Sequence, residues 1–282
     1  MHLDFRPLTE AIGAEALGVD LSGFLGDDAF ARIHRAWLDH AILLFRGQEA
    51  LTPAGQVAFT RRFGPLECHT LPQFCLPEQP EIFVVSNIRE NDRPIGAARA
   101  GWGWHSDSHY LEVPSAGSFL LARQVPREGG ETAFANLYAA YDALSATMKA
   151  RIEDLEVLVS RRKAYPISYP HRPPLTGEEA ARVPDVVHRI VRTHPETGRK
   201  ALFVGGIVAW EIVDHAYEAG RALLDELRAH ATEARFVYNH RWRVGDAILW
   251  DNRCTLHRAL PFDDANDRRL MHRTTVLGTD RF

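Results

Sequence analysis

The strongest constraint on how this chain can fold is the number of short strand-like runs it carries. Apolar and β-branched stretches at 41–45, 82–86, 119–124, 132–135, 187–193, 201–204, 235–242, 247–250, 255–260 and 269–277 are bounded by Gly, Pro, Asn and Asp. Helical patterning falls early, in the middle and over 213–231. Phe30, Ile33 and Trp37 recur at helical steps behind a cap at Asp27 or Asp28. Thr52-Pro53 reads as an N-cap with proline at the first helical position, and that helix stops at Gly64-Pro65. Tyr141, Leu144, Met148 and Ile152 predict one helix over 137–158. A further helix over 213–231 turns Tyr217, Leu223, Leu224 and Leu227 inward. The pattern is that of an α+β protein with a β core. No repeat or linker divides the 282 residues, so one domain over 1–282 is expected.

Composition excludes several classes. A net charge of −4 without a basic stripe gives nucleic acid no footprint. No apolar run is long enough to span a bilayer, and the N-terminus lacks a secretory pattern. Cys68, Cys75 and Cys254 make neither a disulfide framework nor a Cys-rich zinc site. A cytoplasmic location is the expectation.

The chemistry concentrates in Trp104-His105-Ser106-Asp107 and in the distant Trp250-Asp251-Asn252-Arg253-Cys254-Thr255-Leu256-His257. Gly101 and Gly103 argue against a helix around His105, and on a strand His105 and Asp107 would share one face. Joined by His257, they form two imidazoles and one carboxylate. That set leaves open positions on a metal and suits non-haem Fe(II) that must also bind a co-substrate and O2. An H-x-D alone, in a chain with fourteen histidines, is as easily a surface pair. The weight comes from Arg269 and Arg273, two cations four residues apart on one strand face beyond His257. A fixed guanidinium is the natural receptor for a carboxylate.

These stretches, together with Gly129-Gly130-Glu131-Thr132 and Thr193-His194-Pro195-Glu196-Thr197-Gly198-Arg199-Lys200, occur in an order and spacing similar to those of the taurine dioxygenase / phenoxyacetate-herbicide dioxygenase family. That family uses Fe(II) and 2-oxoglutarate. The resemblance runs from about Gly13 to Gly278. It implies a double-stranded β-helix, or jelly roll, with the metal ligands at the mouth. It implies that His105, Asp107 and His257 hold Fe(II), and that Thr132 and Arg269 bind the distal carboxylate of 2-oxoglutarate. Arg273, with His69, would take the anionic group of the prime substrate. The reaction implied is oxidative decarboxylation of 2-oxoglutarate by O2 to succinate and CO2, coupled to hydroxylation of a substrate C–H. A hydroxylated carbon bearing O or S would then collapse with bond cleavage. Asp107 argues against halogenation, because halogenating relatives are expected to lack that carboxylate.

The Ser106 position is closer to the herbicide branch, so a small organic carboxylate such as an aryloxy- or arylalkanoate ranks first. A taurine-, alkylsulfonate- or alkylsulfate-type substrate ranks second. A 2-oxoglutarate-independent jelly-roll oxygenase and an idle binding protein remain as other classes. Segments 87–103 and 161–186 are candidate lids. Asn87, Trp102, Tyr110, Tyr165 and Tyr169 are candidate pocket residues. Asp251 and Asn252 are expected to orient the His257 strand, and Arg268 to face away from the site. The family's habit implies a homo-oligomer, dimer or tetramer.

Overall fold

The computed structural model describes residues 3–69, 71–98, 101–168 and 173–280. Tyr169 and parts of both candidate lids, residues 99–100 and 169–172, lie outside them.

An eight-stranded sheet forms the body. Its order runs Asp4–Pro7, Ala14–Leu17, Ile42–Phe45, Ala247–Asp251, Gly117–Gln124, Leu270–Val276, Gln79–Ser86, Cys75–Leu76. All pairings are antiparallel except that of Ala14–Leu17 with Ile42–Phe45. The central strands read as unbroken apolar runs because both faces are covered. Leu43, Phe45, Phe119, Leu121, Ala247 and Leu249 face a layer built on the helix Asp27–His40, with Ile33 and Trp37. Ile42, Leu44, Leu120, Ala122, Ile248 and Trp250 point the other way. There they pack on a three-stranded sheet, ordered Val237–His240, Thr132–Asn136, Thr255–Ala259, through Phe134 and Leu256. The period of two along each strand therefore decides which core a residue joins.

The helix Pro53–Arg61 starts as expected, with the Thr52 hydroxyl accepting from the Gly55 amide. The first helix is preceded by Gly26 rather than capped by Asp27 or Asp28, which lie in its first turn. The long helix expected over 137–158 is three elements: helices Leu137–Asp142 and Ala146–Ile152 and the strand Glu156–Val159. The cause is local. Asn136 and Ser145 each accept from backbone amides at a new N-terminus, so the apolar spacing crosses a break. The last long helix begins at Tyr217, whose side chain is exposed rather than inward, while Leu223, Leu224 and Leu227 are buried. Within the candidate lids lie a small hairpin, Arg89–Glu90 with Arg93–Pro94, and helices Arg161–Ser168 and Gly177–Ala181. Among the described residues no helix is long and apolar enough to cross a membrane.

Candidate metal centre

His105, Asp107 and His257 converge between the two sheets. Their ligand atoms all lie within 4.8 Å of one another. His105 does not sit on a continuous strand. It makes one bridge, exchanging both backbone hydrogen bonds with His257 at 3.0 and 2.8 Å, so the two imidazoles are cross-strand neighbours. Asp107 opens a turn completed by Ser108 in the left-handed region at φ 53°. The turn, rather than strand alternation, aims the carboxylate inward.

Each side chain is held. His105 Nδ1 donates to the Gly103 carbonyl at 2.8 Å, which leaves the Nε2 lone pair free. His257 is held by rings, with centroids 4.2 Å from His105 and 4.7 Å from Trp250. The Ser118 hydroxyl donates to Asp107 Oδ2 at 2.6 Å and accepts from Asn252 Nδ2 at 3.0 Å, while Asn252 Oδ1 accepts from the Asp107 amide. Arg273 donates to Asp107 Oδ1 at 2.7 Å. Burial alone would raise the Asp107 carboxyl. The Arg273 guanidinium, with His257, His105 and the Ser118 hydroxyl, overcomes this and holds it well below the ordinary carboxylate range. Burial, then the neighbouring His105, pushes His257 well below the ordinary imidazole range. The cluster is thus one ionised carboxylate and a neutral buried imidazole beside His105. The spacings His105 Nε2–Asp107 Oδ1, 3.9 Å, and His257 Nε2–Asp107 Oδ2, 3.8 Å, exceed hydrogen bonds. Each is less than twice the metal–ligand distance of about 2.1 Å, so an ion fits between the atoms.

A buried network fixes the turn before His257. Arg253 donates to both oxygens of Asp251, His194 Nε2 approaches Asp251 Oδ2 at 3.0 Å, and Arg253 reaches Glu196 at 2.6 Å. Asp251 and Asn252 therefore both act on the site's framework. His109 lies outside the cluster, its Nδ1 turned to the Ser106 carbonyl.

Arg269 immediately precedes the strand Leu270–Val276 and is buried, Arg273 lies on that strand half-buried, and Arg268 is exposed. Arg269 is buried, and among the described residues its guanidinium meets no side-chain or backbone acceptor. Burial without an anion lowers its pKa to about 10. It lines a cavity with Ser86, Asn87, Trp102, Leu260 and Phe262. Asn87 is engaged with backbone, accepting from the Arg269 amide and donating to the Asp264 and Asp267 carbonyls. Thr132 is buried, and its hydroxyl accepts from Trp242 Nε1 at 2.9 Å, leaving its own O–H to donate.

On the other side of Asp107, Phe83 is the cross-strand partner of Arg273, whose guanidinium lies 5.1 Å from the ring centroid. His69 stacks on the same ring at 3.9 Å. His69 Nδ1 accepts from the Leu71 amide at 3.1 Å, so Nε2 carries the proton, and burial lowers its pKa to about 4. The structure thus brings all seven candidate residues to the space between the sheets or its rim. Sequence reasoning missed Ser118, Phe83, Trp242 and the His194–Arg253 network. Of these, only His194 and Arg253 lay in motifs already singled out.

A model of the taurine catabolism dioxygenase TauD, TfdA family matches residues 4–275. A (S)-phenoxypropionate/alpha-ketoglutarate-dioxygenase of Sphingobium herbicidovorans is 36% identical over 95% of this chain and 93% of its own. An alpha-ketoglutarate-dependent 2,4-dichlorophenoxyacetate dioxygenase of Cupriavidus pinatubonensis is 36% identical over 98% of both chains. The crystal structure of AAD-2 with Mn(II) and N-oxalylglycine superposes with a TM-score of 0.86 at 34% identity, over 100% of this chain and 98% of that one.

Proposed function

The chain belongs to the taurine catabolism dioxygenase TauD, TfdA family, and on that premise we propose which of its residues carry the α-ketoglutarate-dependent oxidation and which substrates it takes. It is an Fe(II)- and 2-oxoglutarate-dependent dioxygenase. The observation that carries the residue assignment is the His105–Asp107–His257 cluster together with a buried guanidinium, Arg269, that meets no anion among the described residues.

His105 and His257 offer imidazole nitrogens and Asp107 an ionised oxygen, a donor set that suits Fe(II) and leaves positions open. Iron, when bound, supplies activation of O2 and oxidative decarboxylation of 2-oxoglutarate. The protein supplies the rest. Ser118 and Asn252 hold Asp107 in one orientation. Arg269 takes the distal carboxylate of 2-oxoglutarate, regaining the counter-charge it lacks, and the Thr132 O–H, oriented by Trp242, donates to the same group. Arg273 and the His69 Nε2–H take the anionic head of the prime substrate, with Phe83 beneath both. The two facing sheets are read as a double-stranded β-helix forming one dioxygenase domain, with 87–103 and 161–186 as lids over its mouth and the chain as a homo-oligomer.

The substrate class is a small organic carboxylate, an aryloxyalkanoate first. Support comes from the relatives' aryloxyalkanoate substrates and from the aromatic rings of Phe83, beneath Arg273, and Tyr110, which feels the charge of Arg273. Hydroxylation of the carbon bearing the aryloxy oxygen gives a product that collapses to a phenol and a keto or aldehydo acid. The test is succinate formation by the Fe(II)-loaded enzyme with (S)-2-phenoxypropionate, 2,4-dichlorophenoxyacetate, an alkyl sulfate and taurine. The carboxylates should stimulate succinate formation and release the phenol in equal amount. Stimulation by the sulfate or taurine alone would overturn the carboxylate reading.

A further inference from the structure

The helix Arg161–Ser168 opens with three cations, and two of them are tied to the body of the protein. Arg162 meets Asp185 at 3.0 Å and Lys163 meets Glu211 at 3.3 Å. Ser160 fixes the helix start, its hydroxyl donating to Asp185 Oδ1 at 2.6 Å and accepting from the Lys163 amide at 3.0 Å. Arg161 is different. Among the described residues it has no carboxylate and no hydrogen-bond acceptor, and its guanidinium lies 4.6 Å from the ring centroid of Tyr110.

Tyr110 ends the turn that begins at Asp107, so the stacking places this cation at the rim of the metal cluster. The facing wall is the segment after Pro65. The Glu67 amide donates to the Thr275 carbonyl at 2.9 Å, which lays that segment along the strand carrying Arg273, and His69 two residues on stacks on Phe83. The charge of Arg161 is felt at both Tyr110 and His69, after burial and among the charges of Arg273 and Asp107. Glu67, the one acid on this wall, is itself raised by burial and balanced against Arg273.

We infer that Arg161 is a specificity-determining residue, a second guanidinium that engages the anionic group of the prime substrate from the lid side, opposite Arg273 and His69. This rests on the substrate reading above and adds to it. An anionic head would be held from the strand by one cation and from the helix over the pocket by another. Tyr110 would hold that second guanidinium over its ring, leaving its N–H groups to meet two oxygens of one anion. A neutral substrate of the same shape would gain only the aromatic contact.

The test uses full-length protein loaded anaerobically with Fe(II) and 2-oxoglutarate. Phenoxyacetate, (S)-2-phenoxypropionate, hexyl sulfate and taurine are titrated through the shift of the metal-to-ligand band, and phenoxyethanol serves as the neutral analogue. Arg161→Gln should weaken the tightest-bound anion about tenfold to a hundredfold, the range for a lost charge-assisted contact. It should leave 2-oxoglutarate affinity and phenoxyethanol binding within about twofold, and Arg161→Lys should recover part of the loss. Equal loss for the anion and for phenoxyethanol would make Arg161 a packing element and overturn the inference, as would unchanged anion affinity in Arg161→Gln. If none of the four anions shifts the wild-type band, the anion site falls and Arg161's role with it. The 2-oxoglutarate band itself would still stand, so the dioxygenase reading is judged separately.

Discussion

Replacing Arg269 with methionine separates a cation built for a ligand from one built for stability. Burial lowers the Arg269 pKa from 12.5 to about 10, and among the described residues no anion offsets it. At about 1.4 kcal/mol per pKa unit, the folded protein carries roughly 3 kcal/mol of uncompensated charge at neutral pH. The sign follows from the direction. A base whose folded pKa is depressed destabilises the fold below that pKa, so the cost is fully present at pH 7 and fades only above pH 10. A carboxylate delivered to the guanidinium recovers this energy as binding, so Arg269→Met should weaken 2-oxoglutarate by about a hundredfold. The ligand-free variant should be as stable as the wild type or melt a few degrees higher, at about 2 °C or more per kcal/mol for a chain of this size. Calorimetric titration of 2-oxoglutarate into Mn(II)-loaded protein reads the first quantity, and thermal unfolding of the ligand-free protein the second. Co-substrate affinity within about threefold of wild type, or a loss of more than about 2 kcal/mol in ligand-free stability, would overturn this role for Arg269.

Ser118→Ala removes the hydroxyl that holds Asp107 Oδ2 and Asn252 together, and Mn(II) affinity should fall about tenfold to a hundredfold with little change in melting temperature. Thr132→Val strands the buried Trp242 N–H and removes a donor to the co-substrate. It should cost about 1–3 kcal/mol of stability and about tenfold in 2-oxoglutarate affinity, with Thr132→Ser near wild type in both. Burial would raise Asp251, but Arg253 and His194 hold it at about 2. Its folded pKa lies below its unfolded one, so roughly 2 kcal/mol of stability is present above pH 4 and is lost as pH falls toward 2. Denaturant unfolding across that range should show the loss in wild type and less of it in Asp251→Asn.

The parts of this protein legible in its sequence are those where local periodicity and tertiary role agree. The run at 41–45 is apolar throughout because both faces of Ile42–Phe45 are buried. Thr52-Pro53 announced its helix because the cap is made by the residue itself. Arg273 was legible as a strand residue because Leu270–Val276 is a strand, with Arg269 immediately before it. The helix expected over 137–158 failed because apolar spacing continued in phase across the Ser145 cap. His105 and Asp107 converge as expected but through a bridge and a turn, since a period of two cannot distinguish that from a strand. Ser118, Phe83 and Trp242 were illegible for a different reason. Each is an ordinary strand or loop residue until the sheets bring it against a partner more than a hundred positions away, or, for Ser118, against Asp107 from a separate strand.

In the proposed site, His105, Asp107 and His257 hold iron while Arg269 seats 2-oxoglutarate beside it. Anaerobic titration of the purified protein with Fe(II) and 2-oxoglutarate, followed by the visible metal-to-ligand charge-transfer band, tests it most directly. A saturable band in the wild type, absent in His257→Ala and requiring far more 2-oxoglutarate in Arg269→Met, is the predicted result. A folded, iron-binding wild type without the band, or a band undiminished in His257→Ala, would contradict it.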